Sequence, residues 1–186
     1  MSVRRLSTRT RRLALAACLA TVTTAFAGCA EQPATGPRGP LSSVSVDGIV
    51  YTVRSARVLN PGDAEDRLFL DGRRPDPGRS FVGLFLVMCN DAPSPRRSSD
   101  DLRLVTPSGF TASRIENEDS PFAYEPRPLG PGQCAPRAIS APGRAADALL
   151  ALFEVPQDAA ARRPLDFGVE SVDGSVRRVR VVDVGE

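Results

Sequence analysis

From Val44 onward the chain breaks into short apolar runs separated by turn-forming residues. Outside the extreme N-terminus, the longest uncharged run is Phe81 to Asn90, FVGLFLVMCN. It is too short for a membrane span and is bounded by stretches rich in Gly, Pro and Asp, which predicts a central β-strand. A half-exposed antiparallel strand alternates apolar with polar residues. Here both faces are apolar: Phe81, Phe85, Val87 and Cys89 on one, Val82, Leu84, Leu86 and Met88 on the other. A two-layer sandwich buries one face of each sheet, so the second face needs a cover. Phe81, Phe85, Val87 and Cys89 are assigned to the core. The 116–144 stretch is assigned as the cover for the opposite face; failing that, the face is an exposed apolar patch of the kind that marks a partner site.

The other runs are shorter. Val44–Val46 and Ile49–Val53 flank Asp47-Gly48, a pair suited to the positive φ angles of a type I′ hairpin turn. The second strand continues to Leu59 and stops at Asn60-Pro61-Gly62. Asp63 to Asp66 reads as acidic and exposed, Arg67 to Leu70 as a short strand, and Asp71 to Ser80 as loop. After the central strand comes a polar loop, 91–101. A second hairpin follows, Leu102–Val105 and Phe110–Ile115 around Thr106-Pro107-Ser108-Gly109. The 116–144 stretch is long for an unstructured loop, so part of it is expected to be strand or pinned, with Leu129 and Ile139 as anchors. Leu149 to Val155 reads as strand: Ala and Leu favour helix, but Phe153-Glu154-Val155-Pro156 is strand-like and proline-stopped. Leu165, Phe167 and Val169 alternate cleanly. Val176 to Val184 forms the last strand, with a bulge expected at Arg177-Arg178. Seven to nine short strands with turn signals between them make an all-β, antiparallel β-sandwich.

The N-terminus changes the picture of location. Residues 1–12 are Arg-rich and Leu13 to Phe26 are apolar or small, the n-region and h-region of a secretory signal. About 14 apolar residues are too few for a permanent span of a ~30 Å hydrocarbon core. The segment ends Phe26-Ala27-Gly28-Cys29. This resembles the lipobox of bacterial lipoproteins, with Phe26 where Leu is usual. The resemblance implies that Cys29 is diacylated and becomes the first residue. Thr10-Arg11-Arg12 loosely resembles a twin-arginine signal, with Ala14 where a bulky apolar residue is usual, so the export route stays open. The expected organisation is a signal peptide over 1–28, a tether over 29–42 and a sandwich domain over 43–186. Ala30 to Ser42 is rich in Pro and Gly and has little to bury, so it reads as a disordered tether with a reach of roughly 20 Å.

Composition removes several kinds of chemistry. The chain has no His and no Lys; its 24 basic residues are all Arg, set against 22 acids. Five of the arginines precede Cys29, so processing turns the net charge of +2 into −3. A mildly acidic domain without a basic cluster is a poor nucleic-acid binder. Nucleophile systems that rely on His or Lys are absent, as are imidazole-ligated zinc sites. No Gly-rich phosphate loop precedes a helix. The chain therefore reads as a non-enzyme without a cofactor.

Once Cys18 leaves with the signal and Cys29 is lipidated, Cys89 and Cys134 remain. In an oxidising compartment they read as a disulfide, and two free buried thiols are the alternative. The bridge would close a loop of about 46 residues, for roughly 4 kcal/mol in the chain-entropy model. Glu116, Glu118 and Asp119, with Asn117, offer the hard oxygen ligands that Ca²⁺ takes, but without EF-hand spacing a solvated acidic loop is the plainer reading. Phe122 and Tyr124, among prolines, are a candidate contact patch or a cap on the open end of the sandwich core.

The strand IVYTVRSARVL, the apolar strand ending FLVMCN, and the segments LRLVTPSG, LGPGQ and LFEVP carry a further resemblance. From Asp47 to Val184 the chain is similar to a family of secreted and lipid-anchored Gram-positive proteins. These share an immunoglobulin-like β-sandwich with the actinobacterial immunoprotective extracellular antigens. The resemblance implies fold and location and brings no catalytic residue. The two internal cysteines and the Pro-rich 116–144 stretch depart from the family pattern. The expected protein is a lipoprotein held at the cell membrane by its lipid and facing outside the cytoplasm. It would act as a non-catalytic interaction module for a protein or cell-envelope partner. The alternative is a lipoprotein that binds a small ligand or metal and presents it to a membrane partner.

Overall fold

The computed structural model describes residues 42–117, 120–136 and 148–181. The signal segment, Cys29, the tether up to residue 41, Ile139 and the end of the last predicted strand lie outside them. The described chain begins with a hairpin, β1 (Ser42–Val46) and β2 (Ile49–Leu59). Asp47 and Gly48 take φ 50° and 84°, the two positive angles that a type I′ turn requires. Ser42, expected in the tether, is already paired with Val53.

β2 then pairs along its length with β3 (Arg79–Asn90). Leu149 to Pro156 forms β9 and pairs with residues 79–86 of β3. Beyond that, β8 (Cys134–Ala135) takes the place of β9, opposite Met88 and Cys89. The second layer contains β5 (Leu102–Val105), β10 (Leu165–Glu170) and β11 (Val176–Val181). β6 (Thr111–Ile115) joins the layers: residues 111–113 pair with β5, while Arg114 and Ile115 pair with β9. The resulting path is β1-β2-β3-β9-β6-β5-β10-β11, antiparallel throughout. Arg96–Arg97 (β4) and Pro128–Leu129 (β7) form a separate small ladder, and a one-turn helix α2 (Gln157–Ala160) follows β9. The fold is an antiparallel β-sandwich. Its described residues hold eleven strands rather than seven to nine, because three two-residue strands lie in stretches that read as loop.

The core face of β3 is the reverse of the expected one. Val82, Leu84, Leu86 and Met88 point between the layers with Ile49, Tyr51, Val53, Phe153 and Phe167. Phe81 and Phe85 face outward into a second apolar cluster. Both faces were equally apolar in sequence, so only the position of the other sheet could choose between them. A β-bulge in β2 couples the two clusters. Val53 pairs with Leu86 and Ser55 with Phe85, leaving Arg54 as an extra residue. One inserted residue reverses the facing of every later side chain. Ile49, Tyr51 and Val53 therefore point into the main core, whereas Leu59 joins the outer cluster. The bulge expected at Arg177-Arg178 is absent: both residues keep regular register, opposite Val169 and Gly168.

The outer cover is a helix that the local pattern did not predict. α1 (Ala64–Leu70) replaces the exposed acidic run and the short strand read from 63–70. Asp66, Phe69 and Leu70 fall at i, i+3 and i+4, one helical face, and all three are buried. Phe69 meets Phe85 edge to face at 5.1 Å and Phe122 at 5.1 Å. Asp66, only 3% exposed, pairs with the Arg57 guanidinium at 2.7 Å and accepts the Asn60 N–H at 2.8 Å. The same guanidinium lies over the rings of Phe69 and Phe85, at 5.5 and 5.6 Å. The 116–144 stretch shares in covering this face through Phe122, with Ile115 just before it.

Candidate functional site

The β1–β2 turn, the loop before β5 and the β10–β11 turn gather at one end of the sandwich and enclose an open cavity of about 250 Å³. Its wall combines apolar Val46 and Tyr51 with Asp47, Ser98, Ser99, Asp100, Asp101 and Glu170; Val172, 95% exposed, stands at the rim.

Two buried tyrosines shape the loop beneath this cleft. The Ser99 N–H donates to the Tyr51 hydroxyl at 2.7 Å, and the Tyr124 hydroxyl donates to the Ser99 carbonyl at 2.7 Å. Burial raises the Tyr51 hydroxyl above its ordinary range, with Asp47 and Asp100 adding to the shift and the Ser99 bond opposing it. Burial likewise raises Tyr124 far above the ordinary value. Ser99 Oγ donates to the Glu170 carbonyl at 2.7 Å, tying this loop to β10. Asp47 accepts from Ser171 Oγ at 2.7 Å and from the Val172 N–H at 2.9 Å, which fixes the third wall. In that turn, hydrogen bonds from Ser175 hold Asp173 below its usual carboxylate range.

Asn90 supports the neighbouring loops. Fully buried, its side-chain N–H₂ donates to the carbonyls of Ser94 and Leu129 at 2.9 and 2.8 Å, and its Oδ1 accepts the Ala92 N–H at 2.9 Å. The Cys89–Cys134 disulfide sits next to it and holds β8 against β3. Leu129 is buried, as expected of an anchor.

The lining is acidic on balance. Glu170 is paired with Arg103, and Asp100 approaches Arg97 at 3.5 Å. Such a surface can hydrogen-bond polar or cationic groups. Among the described residues no group of three or more His, Cys, Asp or Glu is arranged to hold a metal ion. Glu116 is exposed, while Asn117 turns inward and donates to the Phe69 carbonyl at 2.8 Å. Glu118 and Asp119 lie outside the described residues. Tyr124 is 1% exposed and part of the main core, so it caps the sandwich and is not a surface contact. Phe122 is half-buried against Phe69.

The cleft was missed in sequence because its walls come from three separated segments. The available signal was the run Ser98-Ser99-Asp100-Asp101 together with two Asp-Gly turns, Asp47-Gly48 and Asp173-Gly174, which the strand lengths bring to one end. Among the described residues no helix is long and apolar enough to cross a membrane.

No family model and no curated protein matches the chain. Solved structures do. A candidate lipoprotein (ycdA) from Bacillus subtilis is similar at 9% identity with a TM-score of 0.50, over 80% of this chain and 40% of that one. This chain therefore spans well under half of that protein's length. An uncharacterized beta-sandwich protein from Clostridium difficile matches at 12% identity and TM-score 0.44, over 78% of this chain and 93% of its own. A functionally unknown protein from Listeria monocytogenes matches at 10% and 0.41, over 77% and 81%. At such identities the likeness to the Bacillus protein is one of fold.

Proposed function

We propose that this protein is a lipid-anchored lipoprotein of the cell membrane, facing outside the cytoplasm, whose β-sandwich is a non-catalytic interaction module for a protein or envelope partner. We also propose that it belongs with the Gram-positive sandwich family named above. The observation that carries the reading is where the cleft lies. Ser42, where the N-terminal stretch enters the sandwich, is five residues along β1 from Asp47 in the cleft wall, about 17 Å at the rise of an antiparallel strand. A lipid on Cys29 with a flexible tether of roughly 20 Å would keep the sandwich near the membrane, and the cleft loops, at the far end of β1 from the tether's entry, would stay free to meet a partner. The cleft is open and its lining mixes carboxylates and hydroxyls with Val46 and Tyr51, which supports a contact surface over the enclosed apolar pocket of a small-ligand carrier.

Two variants test the proposal. Cys29→Ala is expected to abolish fatty-acid labelling and release the protein into the medium; one acyl chain is a marginal anchor and two are firm. Asp100→Ala with Asp101→Ala alters exposed loop residues only and is expected to lose a partner that crosslinking in native membranes captures with the parent protein. Salt-resistant membrane retention of Cys29→Ala would refute the anchor. Unchanged capture by the double variant would refute the cleft.

A further inference from the structure

β1 and β11 are the two ends of the strand path, yet they lie side by side. No backbone hydrogen bond joins residues 42–46 to residues 176–181. Side chains pin the seam at its two ends. Ser42 Oγ donates to the Arg180 carbonyl at 2.5 Å, and Asp47 accepts from Ser171 and Val172. The two strands therefore run antiparallel.

Hairpin geometry fixes which backbone groups face the seam. In a two-residue hairpin the residues flanking the turn form a hydrogen-bonded pair, and bonded pairs then alternate. Val46, Val44 and Ser42 bond to β2, so Ser43 and Ser45 turn their N–H and C=O groups outward. In the other hairpin the Ser171 N–H donates to the Ser175 carbonyl at 2.8 Å. The bonded pairs that follow are Val169–Arg177 and Phe167–Val179, in the observed register. Val176, Arg178 and Arg180 therefore turn their backbone groups outward, and the Arg180 carbonyl is the one that Ser42 reaches.

A row of outward N–H and C=O groups is a template for another strand. Charge selects which strand. The Arg178 and Arg180 side chains stand on the outer face of β11, and both residues are exposed. Arg178 has no ion-pair partner among the described residues, and Arg180 approaches Asp166 only at 3.7 Å. A second copy of β11 would set arginine against arginine, which disfavours self-pairing. Val179 and Val181, on the inner face, offer apolar neighbours.

We infer that the β1–β11 seam accepts an extended peptide strand in which acidic and apolar residues alternate. Its backbone pairs with the outward groups of Val176 and Arg178. Its carboxylates stand beside Arg178 and Arg180, and its apolar side chains turn inward beside Val179. Full insertion sets β1 and β11 two strand spacings apart, about 9.6 Å, so the Ser42 pin and the Asp47 bonds to Ser171 and Val172 must both release.

The test uses full-length protein in detergent and two synthetic peptides of about eight residues, one alternating Glu and Val, the other Lys and Val. The Glu-Val peptide is expected to bind, and at saturation to slow amide hydrogen exchange at Val176 and Arg178 about tenfold or more. Arg178→Pro removes one outward N–H from an edge strand, where proline is tolerated, and is expected to weaken that peptide about tenfold. Arg178→Glu with Arg180→Glu is expected to reverse the preference to Lys-Val. The inference is overturned by unchanged exchange at both amides, by equal binding of the two peptides, or by reversal variants that keep the Glu-Val preference. It stands apart from the anchor and from the Asp100 and Asp101 variants, which leave this edge untouched.

Discussion

Phe69 and Leu68 are neighbours on the same short helix, and replacing each with alanine isolates what α1 contributes. Phe69 is 7% exposed and Leu68 is 67% exposed. Both changes put a good helix former in place of the original residue, so differences in propensity stay within a few tenths of a kcal/mol. Phe69→Ala removes the ring from between Phe85 and Phe122, each at 5.1 Å, and from beneath the Arg57 guanidinium at 5.5 Å. Truncating a buried Phe costs about 3–5 kcal/mol. Of this, aromatic geometry supplies about 0.5–1.5 kcal/mol. The cation–π contact adds about 0.5–1 kcal/mol, at the low end because Arg57 is partly exposed. Leu68→Ala is expected to fall within about 0.5 kcal/mol of the parent. Urea unfolding with the disulfide intact, followed by far-ultraviolet circular dichroism, measures both. If the Phe69 variant lies within 0.5 kcal/mol of the Leu68 variant, α1 does not secure the outer face of β3 and the two-cluster account fails.

Leu84→Ala and Leu86→Ala, both fully buried in the main core, are each expected to cost about 2–5 kcal/mol; losses under 1 kcal/mol in the same unfolding assay would contradict the assignment of the core face. Removing the Cys89–Cys134 bridge by a double Cys→Ser change is expected to cost roughly 4 kcal/mol from loop closure, read as a lower urea midpoint, and an unchanged midpoint would refute it. The chain has two tyrosines, both buried, so ultraviolet absorbance titration reports Tyr51 and Tyr124 alone. Their ionisation is expected above the ordinary value of 10.0 in the native protein and at that value in denaturant. Because the native-state values are raised, the tyrosines' contribution to stability is fully present below pH 10.0 and is lost as pH rises beyond it. Native titration at the ordinary value would show that neither ring is sealed.

How much was legible in sequence depended on how local the signal was. The β1–β2 hairpin was readable because Asp47-Gly48 carries its own turn chemistry and β-branched residues flank it. The central strand was readable as an uninterrupted apolar run between breakers. The pairing of Cys89 with Cys134 followed from the count of cysteines left after the N-terminal segment. Each of these depends on residues close in sequence or on a count. The helix over 64–70 was not readable when 63–66 and 67–70 were taken separately, because its i, i+3, i+4 pattern spans both pieces.

The facing of β3, the burial of Asp66 and the cleft depended on the tertiary structure. Val82, Leu84, Leu86 and Met88 are as apolar as Phe81 and Phe85, and period-two alternation cannot say which side the second sheet occupies. That choice was fixed by β6 crossing between the layers and by the bulge at Arg54, which moves Leu59 and Arg57 to the side where Phe69 docks. Asp66 is buried because Arg57, nine residues earlier, meets it there. Asp47, Ser99 and Glu170 share a cavity because three connections end at the same edge of the sandwich. For the longer strands, sequence by itself determined where the chain runs extended, turns and stops, since backbone sterics and apolar period act over a few residues. Which face is covered, and which loops meet, was decided only when the sheets packed, because burial belongs to surfaces drawn from distant segments.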